Sequence, residues 1–157
     1  MKNIVTAGLI AGALAASSGA SAQTIEQESA AIEQVLATYE TALNGKDTDT
    51  IMSLYTDDGV FMPQHSPPQA GKDAVRAAYV GVFDAITLDI EFIVDEIEPV
   101  SPDWAFARTR SEGTVTINAT GQSAPEANQE MFLFHRSADR TWRIARYIFS
   151  TTNPPRQ

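Results

Sequence analysis

Three residues of this chain have the type and the surroundings for proton chemistry: Tyr39, His65 and Glu130. Glu130 alternates with Asn128, Phe132 and Phe134, so the four share one face of a strand. A carboxylate among aromatic rings is either paired with a cation or neutral. Arg108, Arg110 and Arg146 are the candidate cations. Left without one, Glu130 becomes an acid able to donate a hydrogen bond. Arg146 stands between Ile144 and Ile148 in an apolar run, which would aim it inward, although a long side chain there also reaches outward to water. His65 lies in the Pro-rich loop Pro63–Gly71 and is one of two histidines, the group that titrates nearest neutral pH. Tyr39 continues the stripe Ile32, Leu36, Tyr39, Leu43. It is either a core aromatic with a satisfied hydroxyl or a hydroxyl offered to a pocket.

The elements that must position these groups follow from periodicity. A first helix is predicted over 24–43, with Thr24 as N-cap and Gln27 completing a capping box. Asn44-Gly45 breaks it. Asp47 caps a short helix over 48–57, which Asp57-Asp58-Gly59 ends, and Val60-Phe61-Met62 begins a strand. Three prolines and Gly71 predict an irregular loop over 63–71. A third helix opens at Gly71 or Asp73, with Val75, Tyr79, Val82 and Phe83 on one face. From Thr87 the chain reads as strands: Leu88, Ile90, Phe92 and Val94 alternate, Pro99 and Pro102 turn, then strands over 104–117, 126–136 and 142–151. Helices followed by long antiparallel strands argue α+β. Phe61, Phe83, Phe92, Trp104, Phe106, Phe132 and Phe134 are expected to wall a core or a pocket.

The start has a different character. Lys2, the apolar run Ile4–Ala16 and Ala20-Ser21-Ala22 form a tripartite secretion signal, with Gln23 as the new N-terminus. The run is shorter than the ~20 residues of a spanning helix. The expected order is a cleaved signal over 1–22, one domain over 23–152 and a frayed tail over 153–157. The expected address is the bacterial periplasm or the medium, with no membrane contact after cleavage. The formal net charge of −9 grows by one unit when Lys2 is lost, and that surface repels nucleic acid. With no cysteine there is no disulfide or thiol redox chemistry. HExxH, P-loop, GxSxG and dinucleotide patterns are absent, so no metal or cofactor is expected. Asp57-Asp58 and Asp95-Glu96 read as solvated acids rather than a cation loop.

The opening from Tyr39 through Asn44-Gly45, Asp47, Ile51, Leu54-Tyr55 and Asp57-Asp58-Gly59 resembles the SnoaL-like, nuclear-transport-factor-two-like (ketosteroid-isomerase-like) superfamily. So does Gly71–Arg76. The ending Trp142–Phe149, with Glu130–Phe134 before it, is most similar to the SgcJ/EcaC subgroup. The resemblance implies a cone-shaped roll of the cystatin-like kind, N-terminal helices packed on a curved antiparallel sheet. It places the oxyanion-hole tyrosine of ketosteroid isomerases on Tyr39 and their protonated aspartate near Glu130. Their general base falls near Pro63, which cannot take a proton, and His65 is the nearest replacement. Two functions follow. One is a pocket for a small apolar molecule, lined by Phe61, Asn128, Phe132 and Arg146, with proton transfer of isomerase, cyclase or hydratase type. The other is a non-catalytic association module. Both come with a homodimer formed through the outer sheet face.

Overall fold

The computed structural model describes residues 15–154, with side chains from Ile25 onward. Most of the signal segment 1–22 and the end of the tail, 155–157, lie outside the described residues. The first helix, α1, spans Ala15–Asn44. It runs unbroken through Thr24, which is therefore not a cap; the Ala- and Ser-rich stretch before it is compatible with helix. Asp47 does cap the second helix, α2 (Thr48–Leu54), by accepting from the Thr50 amide at 2.9 Å. This helix ends three residues before the predicted stop. Tyr55 is buried and pairs with Ile144, which draws the chain into strand β1 (Tyr55–Met62) already at that point. The loop then contributes a two-residue strand, β2 (Gln69–Ala70), paired with β1. Helix α3 (Lys72–Ala85) buries Val75, Tyr79 and Phe83.

Four long strands complete the chain: β3 (Ile86–Ser101), β4 (Trp104–Ile117), β5 (Ser123–Arg136) and β6 (Trp142–Thr151). The sheet order is β2-β1-β6-β5-β4-β3. Pro99 falls inside β3 rather than ending it, because β3 is an edge strand, where a missing N–H is tolerated. The α+β class is as read, with helices on a curved, unclosed sheet. One pairing is not antiparallel: β1 lies parallel to β6. About eighty residues of chain separate these two strands, far more than the dozen or so a parallel crossover needs.

Alternation divides the sheet into two faces. Ala105, Ala107, Thr109 and Ser111 on β4, Asn128, Glu130, Phe132 and Phe134 on β5, and Ile144 and Tyr147 on β6 supply its buried face. The helices cover it with Ile32, Leu36, Tyr39, Ile51, Val75 and Tyr79. Two of the expected aromatic walls sit elsewhere. Trp104 is exposed and lies 4.5 Å from the His135 ring, and half-buried Phe106 shares its outward parity on β4. Asp95 and Glu96 bind Arg108, and Asp95 also binds Arg110. Asn153 donates to the Pro125 carbonyl at 3.1 Å, so the first tail residue is anchored. Among the described residues no helix is long and apolar enough to cross a membrane.

Candidate active site

A cavity of about 140 Å³ lies between the inner sheet face and helices α1 and α3. Register builds its polar end. Thr109 on β4 stands opposite Glu130 on β5, and Ser111 stands opposite Asn128. All four side chains are buried. The Ser111 hydroxyl donates to Glu130 Oε1 at 2.7 Å, and the Thr109 hydroxyl donates to Oε2. Asn128 Nδ2 donates to Ser111 Oγ at 3.3 Å. Burial pushes the Glu130 carboxyl above its ordinary pKa, while the hydroxyls of Thr109, Ser111 and Tyr147 pull it down.

The other half of the site is a cluster of phenols that uses all four tyrosines, three of them in a hydrogen-bonded chain. Tyr55 and Tyr79 hydroxyls are 2.9 Å apart, and those of Tyr79 and Tyr39 are 2.6 Å apart. Tyr147 lines the same cavity as Tyr39 and Glu130, with its ring 5.6 Å from that of Tyr39. Desolvation raises the pKa of every one of these phenols well above its usual value, so all four stay protonated. Glu130 can hold a proton, and turning the hydroxyls of Thr109 and Ser111 reverses the direction of donation. Tyr79 is the midpoint of the hydrogen-bonded phenols. Tyr79→Phe removes the hydroxyl shared by Tyr39 and Tyr55, so a loss of about 1–2 kcal/mol is expected in a urea titration.

The sequence-derived site residues divide into three groups. Tyr39, Phe61, Asn128 and Glu130 all line the cavity. Tyr39 combines its two readings: it is 1% exposed in the core and its hydroxyl belongs to the phenol chain. Phe132 does not border the cavity; it backs the site, with its ring stacked 4.1 Å from that of Tyr147. His65 and Arg146 lie outside. The Ser66 amide bonds the Pro63 carbonyl, closing a tight turn, and His65 sits at its exposed tip with φ of 60°. Only Pro63 of this loop reaches the cavity. Arg146 points away because β6 bulges. Leu133 pairs with Arg146 but Phe134 pairs with Ile144, so Ala145 is an extra residue that reverses the facing. The Arg146 guanidinium donates to the carbonyls of Asp58 and Ala145. None of Arg108, Arg110 and Arg146 bonds Glu130; each binds acids elsewhere.

Sequence reasoning missed Tyr55, Tyr79, Tyr147, Thr109, Ser111 and Glu126 as site residues. Glu126 lines the cavity two residues before Asn128 on the same strand face. The alternation that marked Asn128 and Glu130 extends back to it. Among the described residues, no cluster of three or more His, Asp or Glu side chains forms a metal site.

Comparison with known proteins places this geometry among relatives. Residues 35–147 match the family model of the SnoaL-like domain. A ketosteroid isomerase-like protein from Erwinia carotovora atroseptica SCRI1043 is 41% identical, with 80% of this chain and 96% of that chain covered and a TM-score of 0.77. A conserved protein from Planctomyces limnophilus DSM 3776 is 27% identical over 80% of this chain and 98% of that one, with a TM-score of 0.71. A hexachlorocyclohexane dehydrochlorinase shares the fold at 14% identity, with 81% and 86% covered and a TM-score of 0.72. No curated protein matches the sequence.

Proposed function

The chain belongs to the SnoaL-like family of the nuclear-transport-factor-two-like superfamily, and from that premise we propose that it binds a small, largely apolar molecule in its cone and transfers a proton on it. Members of this fold include isomerases, dehydratases and dehydrochlorinases. One observation carries the reading. Glu130 is a buried acid with no cationic partner among the described residues, at the end of a cavity that Tyr39, Tyr79 and Tyr147 also line. Burial favours its neutral form, which donates to a ligand oxygen that gains charge as the reaction proceeds. The hydroxyls of Thr109 and Ser111, bonded to Glu130, can follow the shift of the proton by turning. Phe61, Tyr79 and Phe149 line the same cavity and give it apolar walls.

The test is a crystal of the protein purified from its natural host, examined for density of an endogenous molecule. A ligand oxygen within 3.2 Å of Glu130 or Tyr147 is the expected result. A cavity closed by rearranged side chains would overturn the reading. The association-module alternative draws support from the outer sheet face, where Met131 and Ile148 are paired neighbours, 49% and 47% exposed. We take this face to be the contact of a homodimer. Light scattering at micromolar concentration should give twice the chain mass, and Ile148→Glu should give the monomer. A wild-type monomer would count against the dimer.

Export is part of the same proposal. The tripartite start supports cleavage after Ala22 and release into the periplasm or the medium. Intact mass of the released protein should correspond to a chain beginning at Gln23. A released protein that still carries Met1 would contradict it.

A further inference from the structure

The cavity has a charge character that a merely apolar occupant does not use. Glu126, Asn128 and Glu130 stand at every second position of β5 and line it together. Glu126 is half-buried and, among the described residues, has no hydrogen-bond partner and no ion pair. Its cross-strand neighbour is Gly113, which has no side chain to offer it. Asn128 is 7% exposed, and its Oδ1 is buried with no hydrogen-bond partner. Its Nδ2 is already committed to Ser111. A buried amide oxygen left unpaired costs free energy, and a donor arriving with a ligand removes that cost.

Among the described residues no Lys, Arg or His lines the cavity. The nearest strands turn their arginines to the outer face, where Arg108 and Arg110 bind Asp95 and Arg146 binds Asp58. The walls are aromatic rings. Phe61 stacks between Tyr79 at 4.8 Å and Tyr147 at 5.5 Å, with interplanar angles of 13° and 12°. This stacking covers the faces of Phe61 and, with Phe132 at 4.1 Å, those of Tyr147, so the rings give the cavity an apolar wall and the polar recognition falls to Glu126 and Asn128. The volume of about 140 Å³ is that of a single ring, close to the ~150 Å³ cavity that accepts benzene.

We propose that the occupant is a small organic ammonium ion with a one-ring apolar body, its N–H groups bound by the Glu126 carboxylate and Asn128 Oδ1 and its ring held against Phe61 and Tyr147. This rests on the reading that the cavity binds a small molecule, and it names the class. Residues two apart on a strand have Cα atoms roughly 7 Å apart. One nitrogen donating to two oxygens spans roughly 5 Å between them, a gap that the longer Glu126 side chain closes by turning toward Asn128. The far end of the ring reaches toward Glu130 and carries the oxygen on which the proposed proton transfer acts. A carboxylate ligand is excluded by charge, since it would meet Glu126 with no cation to receive it. A neutral alcohol satisfies Asn128 but leaves Glu126 unpaired.

Four probes of nearly equal size separate these cases: benzylamine, benzyl alcohol, toluene and benzoate. Each is titrated at neutral pH and low salt into the full mature chain, followed by amide NMR shifts. Benzylamine should bind about tenfold more tightly than benzyl alcohol, toluene more weakly still, and benzoate not at all. Glu126→Gln should remove the amine's advantage while changing benzyl alcohol affinity less than about twofold. Glu126→Ala should do the same, and native amide spectra for either variant rule out a folding defect. Toluene or benzyl alcohol binding as tightly as benzylamine would overturn the ammonium assignment and leave the pocket reading standing. Equal losses for every probe in the Glu126 variants would also overturn it. Failure of all four probes to shift cavity residues would overturn both.

Discussion

Trp142→Ala should lower the stability of the domain by about 3–5 kcal/mol, the loss expected for truncating a large buried aromatic. Trp142 is 4% exposed and opens β6, a strand flanked by β1 and β5 and therefore central to the sheet. The indole also fastens the helical layer. Its N–H donates to Glu28 Oε2 on α1 at 2.7 Å. The other oxygen of Glu28 binds Arg136 at 2.8 Å, and that guanidinium lies 5.6 Å from the indole centroid. The side chains of Glu28 and Arg136 are only 17% and 15% exposed, so the ion pair is weakly screened. Removing the ring leaves a cavity and takes a donor from a half-buried carboxylate. Trp142→Phe separates the two effects, since it keeps most of the ring and loses about 1 kcal/mol for the missing N–H. Urea titration of both variants at fixed pH is the measurement. A loss under about 1 kcal/mol for Trp142→Ala would mean that the indole contributes neither packing nor attachment.

The elements were legible where one signal dominated. The strands Trp104–Ile117 and Trp142–Thr151 fall at the predicted bounds, and Asp47 caps as its type and position predict. The site was legible only where it followed strict alternation. Asn128 and Glu130 could be placed on one face because β5 is regular there. Arg146 was misplaced because a bulge at Ala145 inserts a residue, and nothing in the local sequence marks it. His65 was misplaced because a loop's facing depends on turn geometry rather than periodicity. The phenol cluster was not legible. Its four residues sit on α1, β1, α3 and β6 and meet only in three dimensions. Each alone reads as a core aromatic. Thr109 and Ser111 were hidden for a related reason: their role depends on the register that sets them opposite Glu130 and Asn128.

Glu130 gives the second large effect, and its pH dependence separates an acid from a structural anion. Glu130→Ala should cost about 3 kcal/mol under mildly acid conditions, because it empties a buried site and strips acceptors from the hydroxyls of Thr109 and Ser111. Glu130→Gln should behave differently. Gln has the shape of the protonated acid, and its NH₂ stands where that acid carries O–H. One of the two hydroxyls turns to accept in either case. The sign of the linkage follows from the direction of the shift. Burial raises the folded-state pKa above the ordinary value of 4.5, so between those two values the folded chain holds more protons than the unfolded one. The contribution of Glu130 to stability is complete below the ordinary value and is lost as pH rises through the raised one. Gln lacks this loss. The Gln variant should therefore match the wild type near pH 4 and gain on it as pH rises, when both are followed by urea titration in steps of pH. The reverse trend, a wild type that gains on Gln with rising pH, would make Glu130 an ionised acceptor of three hydroxyls with a lowered pKa. It would then have no proton to give. The raised value predicts a matching split in function. Glu130→Gln keeps a donor for the ligand oxygen and retains binding, yet its amide cannot release a proton, so catalysis falls while affinity remains. An anion that only held Thr109, Ser111 and Tyr147 in place would lose both together.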